Sequence, residues 1–213
     1  MITKFIEGPL WYFALAVFLI GVAWRIFAIF RTGSKADLSV PRRSVAVSAV
    51  MTSLRRFVPR HEMSPRIRLH VVAGYMFHLG LFALLVFAAP HVLFLQEHLL
   101  GFGWTPMPYW AFILASQIAF AGLLILWLHR LLNPVTRLIS DADDHVAAGL
   151  TFVVMLTGCL ALMEDFTGLR VLHRFTVELL MIYFPFSRLM HAFTFIPSRA
   201  YTGAWFGRRG VDA

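Results

Sequence analysis

Nine histidines stand in a chain of 213 residues that is 59% hydrophobic and only 14% charged. An imidazole at membrane depth is costly unless it is bonded or ligated. A single one can be satisfied by a neighbouring helix, but two at matching depth on different helices make a bis-imidazole site of the kind that holds haem iron. Four histidines stand in such places. His78 and His91 lie thirteen residues apart in one apolar run, and His173 and His191 eighteen apart in another. If the two runs cross antiparallel, His78 falls with His191 near one side and His91 with His173 near the other. The spacings convert to ~20 Å and ~27 Å along straight helices, so tilt or a kink near Pro90 or Pro185 must absorb the difference. On spacing alone, two haems b, one or none all stay open.

Neighbouring residues bear on the same chemistry. Arg188, one turn before His191, is suited to pairing with haem propionates; the plainer alternative is snorkelling to headgroups. Gly74 and Gly80 flank His78, where they would either let a flat porphyrin approach or let two helices pack closely. His70, His129 and His145 fall at span ends and His61 and His98 in loops, and all five read as structural or exposed. Glu178 lies within the last apolar run, and an ionisable residue at that depth points to function.

The elements that would position these residues are transmembrane helices, each needing about 20 apolar residues. Five runs qualify: 10–30, 69–94, 109–128, 146–163 and 171–196. The expected fold is therefore an all-α integral membrane protein, a single five-helix bundle over 1–213 with a basic loop at 31–68. Within that loop, Ser44 to Val58 reads either as a short amphipathic helix on the membrane surface or as a solvated loop. Lysines and arginines divide fourteen to three between the two sides. The positive-inside rule then places the N-terminus outside and the C-terminus in the cytoplasm. Trp11, Tyr12, Trp104, Tyr109 and Trp110 lie near the outer boundary, as aromatic belts do.

Other function classes fit poorly. The net charge of +8 follows from cytoplasmic loops and needs no nucleic acid. Cys159 is the one cysteine, so this chain has no intrachain disulfide, cysteine-ligated iron–sulfur cluster or covalently attached haem of its own. The first thirty residues do not read as a cleavable signal. No internal repeat suggests an inverted-repeat transporter, and no nucleophile–base motif or phosphate loop occurs.

Two motifs carry a family resemblance. FPFSRLMH, Phe184 to His191, with His173 eighteen residues before its histidine, resembles the last helix of the respiratory nitrate reductase gamma subunit, and MFHLG, Met76 to Gly80, resembles that family's first ligand motif. The resemblance implies five helices holding two b haems, with ligands at His78, His173 and His191. The nitrate reductase pattern would put its fourth histidine at the position of Ala88; here His91 stands one turn later, in APHVLF. With DADDH before the fourth span and the opening EGPLWYFALAVFLIGVAWRI, the chain is closer to a sister group. These are the DsrM-like cytochrome b subunits associated with dissimilatory sulfite reductase and with heterodisulfide-reductase-like iron–sulfur proteins.

That resemblance implies a multi-pass protein of a bacterial or archaeal cytoplasmic membrane, part of a hetero-oligomeric complex. It would pass electrons between menaquinone or ubiquinone and a cytoplasmic iron–sulfur subunit in sulfur-compound metabolism. His91 becomes the replacement ligand. The quinone is expected beside the outer haem, where Glu97, His98, Glu164, Asp165, Arg170 and Arg174 are candidate proton-handling groups. The partner would dock on the basic loop and on the tail from Ser198. The alternatives are a nitrate reductase-type gamma subunit and, from another class, a cofactor-free structural anchor.

Overall fold

A computed structural model describes residues 1–33, 38, 40–59, 64–163 and 166–212. Among them the regular structure is entirely helical. Four helices are long and apolar enough to cross a membrane: α1 (Ile2–Arg31), α3 (Ser64–Phe87, apolar from Ile67), α5 (Tyr109–Leu132) and α7 (Ala142–Met163). A fifth candidate is bent. Helix α8 (Thr167–Tyr183) continues through a 3-10 turn to Phe186, and Arg188 to Arg208 follows at an angle of 78°. The shorter elements are α2 (Val45–Arg55), α4 (Ala89–Leu95) and α6 (Pro134–Leu138), and α9 (His191–Arg208) closes the chain.

Two of the expected spans are interrupted, both at prolines. The run 69–94 breaks at Ala88, whose ψ of 135° is extended. Pro90 has no N–H to give to the carbonyl four residues back, that of Val86. The loop before α5 supplies the missing donors: Trp104 Nε1–H donates to Val86 O at 3.0 Å and the Met107 amide to Phe87 O at 2.9 Å. The run 171–196 breaks at Ser187, which is also extended, with ψ 173°. Its hydroxyl accepts from the Leu189 amide at 3.2 Å and donates to Phe184 O at 3.0 Å, so the side chain caps both sides of the break. Straight-helix rise therefore cannot be applied to the eighteen-residue spacing of His173 and His191.

The chain forms two compact units. Residues 65–173 make one of them, built on small residues. A Cβ on Gly80 would lie 2.8 Å from the Ala115 carbonyl, and one on Gly122 would lie 2.6 Å from that of Ala73. Gly80 thus serves close packing of α3 on α5, whereas Gly74 has open space above it. Leu84, Ala88, Phe112, Ala119, Leu123 and Met155 form the core of this unit. Helix α7 begins with a reciprocal cap between Asp141 and Asp144, each carboxylate accepting from the other's amide at 3.2 Å. This cap starts α7 four residues before the expected 146.

The other unit comprises residues 1–64 and 174–213. Helix α1 begins at Ile2, well before the expected Leu10, because a π turn over Ile6–Leu10 accommodates Pro9. The buried ring of Pro185 packs on Gly21, where a Cβ would come within 2.6 Å of it. Phe184 and Phe193 close on Phe18 with ring centroids 5.3 Å and 6.0 Å away. The segment from Ser44 is helical, with Ser44 as its N-cap, and α2 packs on α9.

Candidate functional site

Within the unit 65–173, His91 of α4 and His173 of α8 face each other. Their ring centroids are 6.3 Å apart and their planes 30° from parallel. Both rings are half-buried. The break at Ala88 sets the position of His91, whose Nδ1 reaches back seven residues to Leu84 O at 3.0 Å. A carbonyl can only accept, so Nδ1 carries the proton and Nε2 bears the lone pair.

His173 is oriented from α7. Its Nδ1 lies 3.2 Å from the hydroxyl of Thr157, and that hydroxyl is 2.9 Å from Val153 O. The backbone of Val154 also hydrogen-bonds the His173 ring, so α7 holds it at two points. The ring also lies flush on Gly158, where a Cβ would come within 2.9 Å of Cε1. Sequence reading missed Thr157 and Gly158: small residues inside an apolar helix carry no signal until the ring against them is known.

His78 on α3 is half-buried, and its Nδ1 donates to Gly74 O at 2.7 Å beside the ring of Phe77, 4.8 Å away. His191, the first residue of α9, is exposed and donates from Nδ1 to Arg188 O at 2.8 Å. Arg188 is exposed in the turn that precedes it. His78 belongs to one compact unit and His191 to the other.

Each of the four proposed ligands therefore has its Nδ1 within 3.2 Å of an oxygen. This is the outer-shell arrangement that orients metal-binding histidines. Exposed His98 adopts it too, on Phe94 O at 3.2 Å, so the contact alone does not define a site. His145 meets a donor instead: Trp127 Nε1–H donates to its Nδ1 at 3.1 Å. His70 and His129 come together with centroids 6.0 Å apart. Beside them, Arg130 bridges to the buried Asp144 at 3.0 Å and donates to Ser140 at 3.0 Å.

The centroid separation of the His91–His173 pair can be compared with that of two imidazoles on one iron. With metal–nitrogen bonds of about 2.0 Å and each centroid ~1.1 Å behind its nitrogen, two imidazoles across one metal stand roughly 6 Å apart. Among the described residues, no group of three or more His, Cys, Asp or Glu forms a multidentate metal site. Bis-imidazole ligation requires only two.

Glu178, on α8 past His173, is fully buried, and neither of its oxygens has a hydrogen-bond partner. Arg174, one turn earlier, bridges to Glu7 at 3.3 Å. Glu97 and His98 are exposed. Glu164, Asp165 and His61 lie outside the described residues.

No protein-family model matches the chain. It is 27% identical over 206 residues to a protein of Nitratidesulfovibrio vulgaris strain Hildenborough described only as "Protein", a match that covers 93% of this chain and 91% of that one. The similarity thus runs nearly the full length of both.

Proposed function

We propose that the chain is the haem b-containing membrane subunit of a respiratory complex. It would carry electrons between a membrane quinone and a cytoplasmic iron–sulfur partner, in the manner of the DsrM-like subunits it resembles. Five crossings, with Thr167 to Phe186 as the last, put the N-terminus outside and the C-terminus inside. The observation that carries this reading is the His91–His173 pair: two imidazoles on different helices, 6.3 Å apart, each with Nδ1 held by an oxygen. A second haem, to which the resemblance assigns His78, His191 and Arg188, rests on that resemblance alone.

The haem, when bound, supplies reversible one-electron chemistry. The chain's own groups do the rest. The Leu84 carbonyl and Thr157 hydroxyl hold the two rings in register, and the carbonyl raises the basicity of Nε2 on His91. The apolar core around Leu84 and Phe112 keeps water away. Glu178 is proposed to take or pass a proton when quinol is oxidised nearby, because a buried carboxyl without a partner persists where function requires it.

A dithionite-reduced minus oxidised spectrum of the protein purified from its native membrane, with pyridine-haem quantification, tests the reading. About two b haems per chain are expected, and His91→Ala and His173→Ala should each remove the same one. Native protein without haem would overturn the proposal in favour of a structural anchor.

A further inference from the structure

The last helix and the short helix of the basic segment form one body. A Cβ on Gly203 would lie 2.6 Å from Thr52 Cβ, and one on Gly207 would lie 2.1 Å from Ser48 Cβ, so α9 and α2 are packed to backbone distance. Beyond the end of α2, the Phe57 ring meets Phe195 edge-on at 6.3 Å. The Arg199 guanidinium covers both, 4.8 Å and 5.4 Å from their centroids. The Arg42 amide donates to Arg208 O at 2.8 Å and closes the far end.

Three features of this arm point to one surface. First, α9 leaves the axis of the preceding segment at 78°, so if that segment crosses the bilayer, α9 runs along it. Second, Ser48 and Thr52 take the seam on α2 while Val47, Val50 and Leu54, spaced along another face, stay 60%, 58% and 59% exposed. Ile196 and Tyr201 on α9 are similarly bare, at 54% and 56%. Third, the flanking charge is almost wholly arginine: Arg42, Arg43, Arg55, Arg56, Arg208 and Arg209 stand against Asp212, which pairs with Arg43. Arg43 and Arg55 also line a cavity of about 240 Å³ between the helices, with Ser44, Val47, Ser48 and the Asp212 carboxylate that pairs with Arg43.

We propose that this arm lies in the bilayer interface and binds anionic phospholipid headgroups, its apolar stripe at the acyl boundary and Arg43 and Arg55 at the phosphate. Charge alone would suit an acidic protein equally well. The apolar stripe and the right-angled departure of α9 select the lipid, since an interfacial helix combines an apolar face with flanking arginines. The inference rests on the membrane reading and is independent of haem.

The test uses the full chain in nanodiscs of phosphatidylcholine with and without phosphatidylglycerol. A nitroxide at position 50 (Val50→Cys in a Cys159→Ser background) should be open to oxygen and shielded from an aqueous nickel chelate. Native mass spectrometry should show phosphatidylglycerol retained over phosphatidylcholine. Arg43→Gln with Arg55→Gln, both exposed, should weaken that retention about thirtyfold with helix content unchanged. Millimolar inorganic phosphate should not displace the lipid. A label that meets the nickel chelate in both bilayers overturns the proposal, and so does equal retention of the two lipids. Displacement by phosphate alone would make this a phosphate site. Shielding of the label only after a soluble acidic partner is added would make it a protein-docking face.

Discussion

The indole N–H of Trp104 donates to the carbonyl of Val86 at 3.0 Å, the oxygen that Pro90 would have to serve in an unbroken helix and cannot. A residue that looks like a member of an aromatic belt is therefore the cap that lets α3 end and α4 begin where His91 needs to stand. Trp104→Phe should cost about 1 kcal/mol, the loss of one part-buried hydrogen bond, read as a lower melting temperature in detergent. Pro90→Ala restores a backbone donor for Val86. In that background the same Trp104→Phe change should cost clearly less, and equal costs in the two backgrounds would separate Trp104 from the break.

Gly158 and Thr157 hold His173 from opposite chemical grounds, one by leaving room and the other by a hydrogen bond. Gly158→Ala places a methyl group 2.9 Å from the ring and, on the proposed function, should lower haem occupancy at the His91–His173 pair while far-UV circular dichroism stays unchanged. Thr157→Val keeps the shape but removes one of the ring's hydrogen-bond partners. It should weaken metal retention by roughly 10–100-fold, as loss of an outer-shell partner does, measured by haem loss to apomyoglobin.

Asp144 is buried, with its side chain 6% exposed, while Arg130 opposite is 33% exposed. Asp144 both pairs with Arg130 and caps the Asp141 amide. Asp144→Ala should destabilise by about 2–4 kcal/mol, from the lost cap and the broken ion pair. Arg130→Gln should be milder, because the cap survives it. Thermal melts in one detergent decide the order, and a milder loss from Asp144→Ala would remove the cap from the account.

Glu178→Gln replaces a buried carboxyl that has no hydrogen-bond partner with a group of nearly the same shape. Stability should change by less than about 1 kcal/mol, since no bond is lost. Quinol oxidation, followed by haem reduction with a soluble quinol, should slow substantially and lose part of its pH dependence. Unchanged kinetics would leave Glu178 without a proton role.

Much of the helical layout is legible in composition, because runs of about 20 apolar residues without charge have few alternatives. Span edges are less so. Nothing in the apolar count separates 171–196 into two helices; Pro185 permits a kink, but it is Ser187, capping on both sides, that makes the break. The helicity of the tail to Arg208 is hidden for another reason: glycine lowers helix propensity, and only Ser48 and Thr52 packed against Gly203 and Gly207 show what those positions serve. The four histidines stand out by type and spacing. Thr157, Gly158 and Trp104 do not, because their roles exist only through residues distant in the chain.

The break at Ser187 also separates two kinds of variation. Residues added to or removed from a straight membrane helix shift the depth of everything beyond the change. Here the segment bearing His173 and Glu178 ends at Phe186, and α9 starts afresh at 78° to it. Beyond His191, the terminal helix is thus free to be lengthened or recharged without retuning the depth of the groups before it. The proposed lipid contact and the proposed His91–His173 site are thereby able to evolve as independent modules of one short chain.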